Sequence, residues 1–300
     1  MAKRRPFRIV HFSDLHLTPS DTRARSEPRL FGALRGMNQA FRDVLQYPAV
    51  QNADYVLVTG DVTDRGDLAS WKVFWTAVRA SGLTKRIRVL PGNHDVCWLG
   101  AARLPKRGLR SSDLKKAIAG LTLGGQPVKF PWVVVPDPRI AVFGLNSNNL
   151  GNLTGASNAL GDIGYYQLKS LASKLYQHRH VPVKIVALHH SPNIPEEATA
   201  VRRGQRPFGF AERLTHQLSE DDRHSVILLC VAHRVRLLIH GHLHMCEDRR
   251  ITGVRIVGAP ATTQPLDRSA AKKLYQFFSY NVHGNGGRVH CALHTVGSPS

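Results

Sequence analysis

The chain has 300 residues, 42% of them apolar, and carries 41 Lys and Arg against 21 Asp and Glu, a formal charge of +20. That length holds one large core or two small ones, and the charge favours a phosphate-bearing partner, although a merely soluble basic surface is the commoner origin of such an excess. No apolar run is long enough to span a bilayer, no apolar segment follows Lys3, Arg4, Arg5 and Arg8, and Cys97, Cys230, Cys246 and Cys291 form no CxxC pair, so the expectation is a reduced, cytoplasmic protein without signal peptide or membrane helix.

The first predicted strand, 7–12, reads FRIVHF and ends on Ser13-Asp14-Leu15-His16. If the backbone stays extended there, a period of two puts Asp14 and His16 on the same side. A helix is expected over 28–47, with Leu30, Phe31, Leu34, Met37 and Phe41 at helical spacing. Packing on its own core is the favoured use of that stripe, and peripheral contact with a membrane is the alternative. Strand 55–59 runs into Gly60-Asp61-Val62-Thr63-Asp64-Arg65-Gly66 and a helix over 68–81. Strand 86–90 leads to Gly92-Asn93-His94-Asp95, followed by a helix at 111–119, strands at 132–135 and 139–144, and a helix at 163–178. Strand 183–188 delivers His189-His190-Ser191-Pro192. A helix over 221–233 opens on Asp221 and Asp222 and groups Val226, Ile227 and Cys230 on one face. Strand 236–240 then reaches His240-Gly241-His242-Leu243-His244, with alternate imidazoles that share a side if the segment is extended. Strand 254–258 follows, and strands 274–282 and 287–294, joined by HGNGG, form an expected hairpin. The order suggests one domain over 1–295, basic insertions near 97–130 and 193–211, and a flexible tail at 296–300.

Each strand-end motif has an ordinary structural explanation when taken alone: an Asx turn at Gly60-Asp61, a tight turn at Gly92-Asn93, a pair of satisfied histidines at His189-His190. Five in this order do not. Every donor is oxygen or nitrogen, which suits Mn, Fe or Zn and excludes a thiolate zinc site. The donors are too many for one ion and suit two that share a carboxylate about 3.5–4 Å apart. Carboxyl ends of strands in open α/β sheets are where such sites form.

Asp14-x-His16, Gly60-Asp61-x-x-Asp64, Gly92-Asn93-His94-Asp95, His189-His190 and Gly241-His242-x-His244 together resemble the motif set of the calcineurin-like metallophosphoesterases, over about residues 7–260. The resemblance implies a four-layer α/β/β/α sandwich of two mixed sheets flanked by helices. It implies that Asp14, His16 and His244 hold one metal, that Asn93, His189 and His242 hold the other, and that Asp61 bridges. His190 is the alternative to His189, and His240 is expected in the core or behind the ligands. His94 would donate a proton to the leaving oxygen or steady the phosphoryl charge. Asp64 would orient His94 through its carboxylate, or else cap the helix near Leu68. Arg65 would touch phosphate or lie on the surface. The implied reaction is in-line attack on phosphorus by a metal-bound hydroxide.

The ligand set does not choose among phosphate esters. The wording of the motifs looks most like the bacterial cyclic-nucleotide phosphodiesterase branch, so a small phosphodiester is favoured, with a nucleotide-lipid diphosphate as an alternative. Basic residues after the motifs (Arg103, Lys106, Arg107, Arg110, Lys115, Lys116, Arg202, Arg203, Arg206, Arg249 and Arg250) would rim the site and attract anions. Phe208 and Phe210 would anchor their loop or stack a base. Without interleaved aromatics or a binding module, a nucleic-acid substrate ranks below small diesters, and a protein that binds nucleic acid through its basic loops is a further alternative. A non-catalytic scaffold would be expected to lack ligands, and a metallo-β-lactamase-like enzyme would carry HxHxDH; neither description fits.

Overall fold

The computed structural model describes residues 5–26, 34–96, 111–148, 159–194, 208–209, 216–284 and 287–297. Strand β1 (Phe7–Phe12) is followed by helices α1 (Met37–Leu45) and α2 (Pro48–Gln51), then β2 (Tyr55–Thr59), α3 (Leu68–Ala80), β3 (Ile87–Leu90), α4 (Asn93–Val96) and α5 (Ser111–Leu123). Strands β4 (Trp132–Asp137) and β5 (Ile140–Gly144), α6 (Tyr165–Gln177), β6 (Val183–Ala187), α7 (Glu220–Ala232) and β7 (Leu237–His240) come next. The chain closes with β8 (Glu247–Ile251), β9 (Val254–Gly258), β10 (Leu274–His283) and β11 (Arg288–Gly297).

Two mixed sheets result, ordered β11-β10-β1-β2-β3 and β4-β5-β6-β7-β9-β8. The alternation of β1 shows why they stack. Val10 and Phe12 face the helices, packing with Phe41, Trp71, Phe74 and Trp75, whereas Ile9 faces the second sheet and meets Ile140, Ile185 and Leu237. A third apolar layer joins the far side of the second sheet to α6 and α7 through Phe143, Val186, Leu171, Leu175 and Val226. Burying a side chain such as Phe41 or Phe74 contributes about 1.5–3 kcal/mol. Three apolar layers between four layers of elements make the α/β/β/α sandwich that the resemblance implied. Strands β1, β2 and β3 run parallel, as do β5, β6, β7 and β9. Their carboxyl ends therefore meet along one edge.

Several boundaries differ from expectation. Helix α1 begins at Met37 after Gly36, whose left-handed φ of 81° ends any earlier helical path; Leu30 and Phe31 lie outside the described residues. Leu34, Met37 and Phe41 are buried, so this part of the stripe is core. Strand β8 has no counterpart in the sequence reading because EDRRI carries no apolar alternation, and as an edge strand it needs only one paired side. Ser219 precedes the first residue of α7, so the helix starts one residue before Asp221. β11 extends to Gly297, and Val296 is buried opposite Tyr275, so the frayed tail does not begin at 296. Within 97–130, residues 97–110 lie outside the described set, and α5 packs its Leu121 with the core beside Trp71. Most of 193–211, with Arg202, Arg203, Arg206 and Phe210, also lies outside it. No described helix is long and apolar enough to cross a membrane.

Candidate metal centre

Beyond the last residues of β1, β2 and β7, the chain leaves extended geometry at once. Asp14, His16, Asp61, His242 and His244 all have positive φ, between 46° and 71°, a left-handed conformation that non-glycine residues adopt at a cost. Asp14 and His16 thus converge through left-handed backbone, whereas His242 turns to Asn93 and His189 and His244 to His16 and Asp14. The period-of-two argument reached the right pair at Asp14 and His16 by the wrong geometry, and His242 and His244 do not share a side. Strain concentrated on these residues is the backbone signature of a functional site.

Two sets of donors frame the site, Asp14, His16, Asp61 and His244 in one and His189, His190 and His242 in the other, and a third group, His16, Asp64 and His94, adjoins them. Asp14, His16, Asp61 and His244 each offer one ligand atom to a cluster within 4.8 Å. His16 Nε2 lies 3.1 Å from His244 Nε2, and His244 Nε2 lies 3.3 Å from Asp14 Oδ1. In the second set, Asn93 Oδ1 sits 2.9 Å from His189 Nε2 and 3.0 Å from His242 Nδ1. Asp61 stands between the two. Its Oδ2 is 3.7 Å from His16 Nε2 and its Oδ1 is 3.5 Å from His189 Nε2. One carboxylate therefore presents an oxygen to each set.

At the double histidine, His189 Nδ1 lies 2.7 Å from the Thr59 carbonyl, which fixes Nδ1 as the protonated nitrogen and leaves Nε2 aimed at Asn93 and Asp61. His190 turns its Nδ1 to Ser147 Oγ at 2.8 Å, while its ring lies 4.6 Å from that of His242. The geometry thus favours His189 over His190 as a donor to the second set. His240 bonds Glu247 at 2.9 Å, and Glu247 also pairs with Arg249, so His240 belongs to the buried support.

His94 packs edge-on against His16, with ring centroids 4.7 Å apart, and its main-chain N–H donates to Asp61 Oδ1 at 2.8 Å. Its Nδ1 lies 3.0 Å from the carbonyl oxygen of Asp64. The expected orientation by Asp64 is present, but through the main chain. The Asp64 carboxylate instead accepts from the amide and hydroxyl of Ser26, both at 2.8 Å. The cap of α3 is Asp67, which accepts from the Ser70 amide, so Asp64 does not cap that helix. Arg65 is partly exposed and pairs with Asp64 at 3.3 Å.

One contributor, Arg25, and the role of a second, Asp95, escaped the sequence reading. Arg25 is buried, with Nη2 2.9 Å from His16 Nε2. It stands in no motif, and only folding brings it to the site. Asp95 closes GNHD and accepts from the Val62, Thr63 and Gly92 amides and the Thr63 hydroxyl, at 2.8–3.1 Å. It ties the loop after β2 to the loop after β3. Asp95→Ala would leave three buried amides without that acceptor, at about 1–3 kcal/mol apiece. The expected result in urea denaturation is a stability loss of at least about 3 kcal/mol. Gly92 permits the same approach: a Cβ there would fall 2.2 Å from Asp61 N and Oδ1.

The electrostatics match a cation site. Burial first, then Arg25 and neighbouring histidines for His16 and the histidines around it for His242, lower the pKa of both. Burial also lowers that of His244 against the pull of Asp14. Neutral imidazoles are the ligating form. His189 differs: burial would lower it, but Asp61 and Asp14 outweigh burial and push it up to about 9. A cation at His189 must displace that proton. Manganese binding is therefore expected to release about one proton near pH 7, and to weaken up to tenfold per unit as pH falls below about 9. Calorimetric titration of the chelator-stripped protein in buffers of different ionisation enthalpy reads this directly; equal heats in both would contradict it.

The family model for calcineurin-like phosphoesterases matches residues 7–246, which include every donor above. The chain belongs to that family. A curated relative from Vesicomyosocius okutanii subsp. Calyptogena okutanii (strain HA), named "Probable cyclic nucleotide phosphodiesterase", is 22% identical over 236 residues, covering 78% of this chain and 80% of the relative. Among solved structures, a dimetal phosphatase from Danio rerio is similar at 13% identity and TM-score 0.62, covering 99% of this chain and 100% of that one. Purple acid phosphatase PPD1 from yellow lupin (Lupinus luteus) seeds is similar at 14% identity and TM-score 0.50, covering 97% of this chain and 54% of that one. These likenesses establish the fold, and the family match establishes a metallophosphoesterase acting on phosphate esters. The all-oxygen-and-nitrogen donor set fits a pair of divalent cations.

Proposed function

We propose that this metallophosphoesterase hydrolyses a small phosphodiester, a cyclic nucleotide or a related compound. The observation that carries the dinuclear reading is Asp61, with one carboxylate oxygen turned to each donor set. Asp14, His16 and His244 would hold one ion, Asn93, His189 and His242 the other, and Asp61 both. Two such ions, Mn, Fe or Zn, supply an acidified water and neutralise phosphoryl charge when bound.

The protein's own groups do the rest. The Thr59 carbonyl holds the His189 ring with Nε2 inward. Asp95 keeps the two ligand loops in register. The Asp64 carbonyl orients the His94 ring at Nδ1, and the ring would meet the substrate through Nε2. From there it gives its proton to the departing alkoxide or hydrogen-bonds a phosphoryl oxygen. Arg25, beside His16, adds positive charge where the phosphoryl group would sit. His190 and Arg65 are secondary candidates for substrate contact. The diester preference is supported by the name of the curated relative and by the wording of the motifs. The scattered cysteines fit a reduced compartment, the cytoplasm in our reading.

The deciding experiment is a screen of protein reconstituted with Mn, Zn or Fe. Its substrates are phosphomonoesters, cyclic nucleotides, linear diesters, nucleoside diphosphate esters and single-stranded DNA. Turnover of small diesters above monoesters supports the reading. Activity confined to monoesters, or strongest on diphosphates or DNA, overturns the substrate assignment while leaving the metal centre intact.

A further inference from the structure

The metal centre occupies the carboxyl edge of the sheets, but a group of five arginines lies at the other end. A groove of about 1120 Å³ opens where β7 and β9 begin and where the β10–β11 hairpin turns. β10 runs antiparallel to β1, so its last residues sit beside the start of β1, away from Asp14. Leu237 and Val254 form part of the floor. Arg234, Arg236, Arg250 and Arg288 line it, all four exposed, so Arg250 lies here and not at the rim of the metal site where the sequence reading expected it.

Of the five arginines that line the groove, Arg255 is neutralised by a two-pronged pair with Asp248, at 2.7 and 2.8 Å. No Asp or Glu lines it among the described residues. The positive field reaches the neighbouring core. Lys184, buried with its amine 3.1 Å from the Val181 carbonyl, has its pKa lowered by burial and then by Arg236 and Arg234. Leaving so many like charges together costs folding energy. Solvent and mobile ions screen part of that cost, and a bound polyanion would relieve more of it.

We infer that this groove binds a single nucleic-acid strand through its phosphate backbone, at a site separate from the metal centre. A groove lined by four exposed guanidinium groups from three separate segments of the chain suits a run of backbone phosphates. No Phe, Tyr or Trp lines it among the described residues, so the bases are not stacked and the binding is independent of sequence. A membrane surface is the competing partner, but Thr252-Gly253 at the turn carries no large apolar side chain, and Val231 is the one large exposed apolar residue among the described lining.

The test uses the metal-loaded full-length protein and a fluorescein-labelled single-stranded phosphorothioate oligonucleotide, followed by anisotropy across a salt series. Replacing Arg234, Arg236, Arg250 and Arg288 with Gln is expected to weaken binding at least about tenfold at physiological salt. It should also reduce the slope of log K against log salt by roughly 3, at about 0.7 per strand phosphate. Hydrolysis of a small aryl ester should be unchanged. The same four changes to Lys should keep most of the slope, because backbone contacts need charge more than fork geometry. If the Gln protein fails to fold, Arg236→Gln and Arg288→Gln alone should each lower the slope by about 0.7. Unchanged binding and slope in these variants overturn the inference, as does equal weakening by Lys and Gln. So does loss of binding to phosphatidylserine vesicles with the oligonucleotide isotherm unaltered.

Discussion

Asp61→Asn is expected to lower turnover on an aryl phosphodiester by on the order of 10³-fold and to reduce the bound metal from two ions per chain. The argument starts from the carboxylate's position. Asp61 is almost fully buried, with Oδ1 toward His189 and Oδ2 toward His16. Burial raises its pKa, but the charges of His189 and His94 outweigh burial and hold it well below the usual carboxylate range. It is thus ready to meet cations as an anion. Asparagine keeps the shape and the oxygen that accepts from the His94 amide, but it removes the charge that both ions would share. Losing several kcal/mol of transition-state stabilisation, at about 1.4 kcal/mol per factor of ten, gives the stated drop. Elemental analysis separates this from a loss at one ion: Asp14→Asn, whose carboxylate belongs to one set only, should remove one metal and leave the other. Wild-type turnover or full metal content in Asp61→Asn would refute the bridging assignment.

Much of this arrangement was legible because catalytic loops follow apolar strands, and apolar strands are conspicuous. YVLVT and VKIVA read as buried strands, so the donors that follow them could be placed on one sheet edge. What a linear reading cannot see is how backbone leaves the strand. Asp14 and His242 turn left-handed two residues beyond their strands, and although Asp and His adopt that conformation more often than most residues, they do so too seldom for a position to be read from sequence. Nor does periodicity reveal contacts that cross the chain. Arg25 reaches His16 from a polar segment, and the Asp64 carbonyl, which every residue type possesses, positions His94. Strand β8 was hidden for a related reason: its residues are chosen for ion pairs, Glu247 to His240 and Asp248 to Arg255, and not for burial on both faces. The pattern of the sequence reports burial. The site depends as much on backbone atoms, which have no letter of their own.

His94→Ala tests the one residue assigned to proton transfer. Its ring touches His16, yet its Nδ1 is occupied by the Asp64 carbonyl, so its service to a substrate comes from Nε2. Removing the imidazole leaves the main-chain N–H donating to Asp61, and with it the geometry of the bridging carboxylate. Metal content should therefore stay at the wild-type level while kcat falls by about 10²–10⁴-fold, the usual contribution of a positioned general acid. The size of the loss should depend on the leaving group. A nitrophenolate departs without much help, so its ester should lose least, whereas a nucleoside or alkyl alkoxide needs a proton as the bond breaks and should lose most. A plot of log kcat against leaving-group pKa should consequently be steeper for His94→Ala than for the wild type. Parallel plots, with equal losses for every ester, would mean that His94 only shapes the pocket, and the acid would have to be sought elsewhere around Asp61.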